Sequence, residues 1–155
     1  MRAFTTFLVA ATSALLLAAC GSNASGLVDT HWQLTAISEK VPAYQGVVPA
    51  SQQSKFTITF KKDATFEAQA DCNVAAGTYK TTNSGGLTIE VGPSTTVVCP
   101  NGSYSELYLH ALNQAESYVI AEKELTISLK DGGMLTFGDA AAAPSTGSRL
   151  PAVLD

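Results

Sequence analysis

The feature that most constrains this chain is a strict alternation of apolar and polar residues in short runs, each closed by turn-forming residues. Phe56-Thr57-Ile58-Thr59-Phe60 is the clearest run. Period two puts Phe56, Ile58 and Phe60 on one face, which is the geometry of a half-buried strand and incompatible with a helix. Lys61-Lys62-Asp63-Ala64 then turns the chain, and Thr65 to Ala70 pairs back as a hairpin. Thr30 to Ser38 alternates Trp32, Leu34 and Ala36. Gly77 to Thr81 and Leu87 to Val91 flank Asn83-Ser84-Gly85-Gly86. Glu124 to Leu129 and Met134 to Phe137 flank Lys130-Asp131-Gly132-Gly133, a hairpin signal. Tyr118-Val119-Ile120 adds a short strand, Val97-Val98 is too brief to assign, and Val41 to Ser54 reads as a loop.

One segment changes period. Tyr104, Leu107, Tyr108, Ala111, Leu112 and Ala115 recur at three- and four-residue steps, predicting a helix over about 104–117. Ser103 with Glu106 three residues on is a capping-box arrangement. The expected fold is α+β and mostly β. Seven or eight short antiparallel strands form a curled sheet or small barrel, and one covering helix protects its edges.

The front end reads as an address. Arg2 precedes an uncharged apolar run, the pattern of a secretory signal peptide over 1–19. The run is short for a bilayer crossing, which takes about 20 apolar residues. Leu17-Ala18-Ala19-Cys20-Gly21 resembles the bacterial lipobox. That resemblance implies cleavage before Cys20 and lipid on its thiol, with attachment strengthened by each acyl chain. A plain signal peptide or an uncleaved anchor is the alternative. Gly21 in place of the Asp that retains enteric lipoproteins at the inner membrane points to the outer membrane, facing the periplasm. Residues 20–29 read as a flexible tether, 30–138 as the domain, and 139–155 as a tail without periodicity.

The chain has 155 residues, enough for one domain, and a net charge of −4. Loss of Arg2 leaves roughly −5. Lys61-Lys62 is the only basic pair, so nucleic acid is not an expected partner. The expected partners are the membrane, through lipidated Cys20, and an envelope protein or lipid.

With Cys20 committed, Cys72 and Cys99 remain, and an even pair in an exported chain suggests a disulfide. Closing that loop would contribute about 3–4 kcal/mol by chain entropy. Two reduced, buried thiols are the alternative. No C-x-x-C and no nearby histidine completes a ligand set, so no metal and no cofactor is expected. His31 and His110 are the only histidines, and no G-x-S-x-G occurs. The carboxylates, Glu67, Asp71, Glu90 and Glu106 among them, are scattered. No catalytic residue is assigned, and the domain is expected to bind rather than catalyse.

Five pieces in order resemble the META domain family, whose bacterial members include HslJ-like envelope proteins. Trp32-Gln33-Leu34 is similar to its opening W-x-L strand. Cys72-Asn73 with Gly77-x-Tyr79 resembles its C-N-x-x-x-G-x-Y element, and Thr95 to Cys99 its T-x-M-A-C segment. Glu106, Tyr108 and Leu112 match its helix, and Leu125, Leu129, Gly133, Leu135 and Phe137 its closing hairpin. Asp71 stands where the family usually has Gly, and Val97 and Val98 replace Met and Ala. The resemblance implies a small β-rich domain linked to envelope stress and antibiotic tolerance, with no established enzymatic activity. Asn73 and Thr95 are the candidate binding residues, Asn73 otherwise serving to bond backbone in its turn. The alternative function is a periplasmic inhibitor of a lysozyme or protease, presenting Val91-Gly92-Pro93-Ser94 or Pro100-Asn101-Gly102-Ser103 as a rigid loop.

Overall fold

The computed structural model describes residues 26–40 and 43–142. The expected signal peptide, Cys20, the first part of the expected tether and the expected tail from 143 onward lie outside them. The described chain forms one antiparallel sheet. Its strands are β1 (His31–Lys40), β2 (Ala43–Val47), β3 (Phe56–Phe60), β4 (Thr65–Ala70), β5 (Asn73–Thr81), β6 (Leu87–Ser94), β7 (Ala115–Ala121), β8 (Glu124–Leu129) and β9 (Met134–Asp139). The spatial order is β6-β5-β4-β3-β1-β9-β8-β7, with β2 pairing β1 beside that path. The sheet curls until its two ends meet at one point. There the Tyr118 amide donates to the Gly85 carbonyl at 2.9 Å, and Gly86 bridges Ser117.

The alternating residues face inward as the sequence predicts. Phe56, Ile58 and Phe60 of β3, Phe66 and Ala68 of β4, Leu125 and Ile127 of β8, and Leu135 and Phe137 of β9 are all buried in one core. Helix α2 (Ser105–Asn113) covers this core with Tyr108, Ala111 and Leu112. Tyr108 is fully buried, its ring set edge-on to Phe56 at 6.0 Å, and its hydroxyl donates to the Thr57 carbonyl at 3.1 Å. Burying that hydroxyl without a partner would cost a few kcal/mol, so the bond is what allows a tyrosine there.

Several expectations need correction. The face of β1 is Trp32, Leu34, Ile37 and Glu39, not Trp32, Leu34 and Ala36. A β-bulge between Leu34 and Ala36 inserts an extra residue against β9 and flips the phase of all that follows. The expected loop over 41–54 contains β2 and a single helical turn, α1 (Ala50–Gln53). The helix ends at Asn113, because Ala115 already pairs with Leu129 in the β7–β8 hairpin. No capping box forms; the Ser103 hydroxyl accepts instead from the Ser105 amide at 3.2 Å. Ordered structure continues on both sides of 30–138. Leu27 is wholly buried, Val28 bridges Phe60, and a short 3-10 turn (Ala140–Ala142) follows β9.

Candidate functional site

Two family-like positions explain how β5 is held. A Cβ on Gly77 would lie 2.1 Å from the Glu90 carbonyl oxygen and 2.7 Å from the Phe66 ring, so only glycine lets β5 and β6 approach here. Tyr79 packs edge-on to Phe60 at 4.9 Å and donates its hydroxyl to the Lys61 carbonyl at 2.8 Å. These contacts hold the middle and far half of β5, the strand that begins at Asn73 just after Cys72.

Cys72 and Cys99 are joined by a disulfide, with α-carbons 5.5 Å apart. The bond ties β5 to the segment 95–103, which lies between β6 and α2 and has no regular structure. Asn73, buried at the start of β5, holds the same segment by its carboxamide. Its Oδ1 accepts from the Val97 amide at 2.8 Å and from the Thr95 hydroxyl at 3.0 Å. Its Nδ2 donates to the Val97 carbonyl at 3.0 Å and to the Ser105 hydroxyl at 3.2 Å. Thr95 Oγ1 also accepts from the Val74 amide at 3.0 Å. The side chain therefore pairs with both backbone groups of Val97 as a neighbouring strand would. Asn73 and Thr95 are brought together, but their hydrogen-bonding capacity is directed at each other and at the loop.

The loop so held presents its apolar residues outward: Val97 is 59% and Val98 94% exposed. Between the loop and the first turn of α2 is a cavity of about 450 Å³, bordered by Asn73, Ser105 and Glu106. Of the two loops expected from sequence, Pro100–Ser103 is a turn closed by the Ser103 amide on the Pro100 carbonyl at 3.1 Å. Val91 to Ser94 is instead the end of β6.

The histidines lie apart from this loop. The ring of His31 is 3.1 Å from the Thr59 hydroxyl on the outer sheet face. His110 is half-exposed on α2, and its Nδ1 is 3.2 Å from Oε1 of Glu39, whose side chain is 1% exposed. Glu39 Oε2 is buried without a partner among the described residues. Sequence reasoning missed Glu39, because unbroken alternation would have put it in solvent. Among the described residues, no group of three or more His, Cys, Asp or Glu could hold a metal ion.

The family model for the META domain matches residues 25–142. The chain belongs to the META domain family. The sequence order that suggested it corresponds here to real structural parts, from the Trp32 strand to the Phe137 hairpin. Solved structures share the fold. A Burkholderia xenovorans protein solved by NMR aligns with a TM-score of 0.60 and 23% identity, over 74% of this chain and 83% of its own. A DUF4847 family protein from Bacteroides vulgatus gives 0.52 and 19%, over 72% and 93%. No curated protein matches.

The family's usual glycine before C-N has a physical reason. Asp71 has φ +56°, the left-handed region that glycine enters without strain. Asp tolerates this better than most residues, and here its carboxylate pairs with Lys55 at 3.4 Å.

Proposed function

We propose that this META domain protein is a lipid-anchored envelope protein that binds rather than catalyses, acting in envelope stress or antibiotic tolerance. Its contact surface is the loop from Thr95 to Ser103. The observation that carries this reading is Val98, a nearly bare valine on a backbone pinned by Asn73 and the disulfide. An ordered apolar tip loses little conformational entropy on binding, which is what a recognition loop requires. Cys20 would be the lipid attachment site, in the outer membrane facing the periplasm, with an envelope protein or lipid as partner. The test compares survival under envelope stress for cells carrying Val98→Asp, Cys20→Ala or His31→Ala. Val98→Asp should abolish protection with an unchanged melting curve, Cys20→Ala should take up no labelled palmitate, and His31→Ala should protect normally. Full protection by Val98→Asp would overturn the loop assignment. Loss of activity in a folded His31→Ala protein would overturn the binding reading.

The same pinned loop also favours a second reading, inhibition of a lysozyme or protease by insertion of its tip into a cleft. A lysozyme-inhibition assay with wild type and Val98→Asp separates the two.

A further inference from the structure

The outer face of the sheet, opposite the core, carries a groove of about 670 Å³. Its floor is two rows of short side chains. Thr59, Glu67 and Ala76 align across β3, β4 and β5, and Thr57, Gln69 and Val74 align beside them. His31 of β1 closes one end, and Pro93 and Ser94 of β6 with the adjoining Thr95 close the other. From β1 to β6 the groove crosses four strand spacings of about 4.8 Å, giving a length near 19 Å. That is the length of about six residues of extended chain at roughly 3.3 Å each. The volume lies within the range of about 300–1,000 Å³ common for ligand sites.

The polar atoms left for a ligand are mainly acceptors. Gln69 directs its amide nitrogen to the Asp71 and Asn73 carbonyls at 2.6 and 3.2 Å, leaving its oxygen for the groove. Glu67 is the one carboxylate of the lining. It is engaged only by the ammonium of Lys61 at 2.5 Å, a pair between two well-exposed side chains. Such a pair exchanges readily with another cation, because exposed ion pairs contribute little. No lysine or arginine lines the groove, and His31 at one end is its one basic side chain.

We propose that this groove binds an extended peptide of about six residues carrying a basic side chain, whose cation takes Glu67 in place of Lys61. The apolar positions of the peptide rest on Val74, Ala76 and Pro93, and its backbone amides meet Gln69 and the threonine hydroxyls. This site adjoins the Val98 loop at Thr95, but neither Val97 nor Val98 lines it.

The test is a titration followed by amide and methyl NMR, using the acetylated, amidated hexapeptide Ala-Val-Lys-Val-Ala-Val. Its counterpart with Glu for Lys, and dodecyl maltoside below its micelle concentration, serve as the other probes. The lysine peptide should shift Thr57, Thr59, Val74 and Ala76 and leave Val98 unmoved. Glu67→Gln should weaken binding about threefold, the size of one exposed ion pair. Ala76→Trp, which fills the groove from an exposed position, should abolish binding, while Val98→Asp should leave it unchanged. Absence of groove shifts at millimolar peptide, equal binding of the glutamate peptide, or an unaffected Glu67→Gln would each overturn the proposal. Dodecyl maltoside occupying the groove as well as the peptide does would overturn it in favour of an acyl chain.

Discussion

The carboxamide of Asn73 meets the amide and the carbonyl of Val97 at once, and holds Thr95 and Ser105 besides. Asn73→Ala would leave these groups short of partners in a partly buried site. We expect a loss of about 2–3 kcal/mol in urea unfolding, with the disulfide still formed. A loss below about 0.5 kcal/mol would mean that the disulfide alone holds the loop. Asp71 poses the opposite case. Asp71→Gly removes the strain of φ +56° and the ion pair with Lys55. Relief of left-handed strain is worth about 1 kcal/mol, and a half-exposed ion pair contributes less. The variant should therefore match or exceed wild type by up to about 1 kcal/mol on the same assay. A clear destabilisation would show that the Asp71–Lys55 pair outweighs the backbone. Cysteine arithmetic made the disulfide legible in the sequence. It gave no sign that Asn73 would act as a strand substitute, since an Asn after a Cys reads equally well as a turn residue.

Strands with unbroken alternation, such as β3, β4 and β8, were legible because period two needs no tertiary information. β2 was not, because its alternation is shallow: Tyr44 and Gly46 are only half-buried and the other three residues are exposed. β1 was legible only as far as its bulge. Past that point Glu39 turns inward, and His110 of α2 reaches down to it. The contact clamps the covering helix to the sheet. His110→Ala strands the Glu39 carboxylate with neither oxygen partnered, and should cost about 1–3 kcal/mol, less than a fully buried pair because the ring is half-exposed. Glu39→Leu with His110→Ala removes the buried carboxyl group along with its partner. The double variant should regain most of the loss, because replacing a buried polar pair by apolar packing is often neutral or better. Thermal melts of the two single variants and the double complete the cycle. Equal losses in His110→Ala and the double variant would show that the histidine matters for packing alone.

At the scale of the molecule, stability rests on one aromatic-rich core inside a sheet that nearly closes. Burial pushes the Tyr108 phenol well above its usual range and raises Tyr118 and Tyr79, while half-buried Tyr44 is pushed up to about 12 by desolvation and its hydrogen bond with Tyr104. A phenol whose folded pKa lies above its unfolded value favours folding fully below the unfolded value, near 10. That contribution falls away as pH rises toward the folded value. The domain should therefore lose stability above about pH 10, with tyrosinate absorbance lagging behind free tyrosine until unfolding releases it. Closure itself turns on Gly85, whose φ is +84° and whose added Cβ would lie 3.3 Å from the Tyr118 carbonyl oxygen. Gly102 has nearly the same φ, +86°, but nothing within 4 Å of an added Cβ. Gly102→Ala thus measures backbone strain alone, about 1 kcal/mol, and Gly85→Ala adds the crowding at the seam. Hydrogen exchange distinguishes the two. Gly85→Ala should speed exchange at the Tyr118 amide, which bonds across the seam, more than at Ile58 and Ala68, deep in the β3–β4 pairing. Gly102→Ala should leave the Tyr118 amide no faster than the loss of global stability requires. If both variants speed Tyr118 alike, the seam bears no load of its own, and the sheet is held as an open curl by α2 and the core.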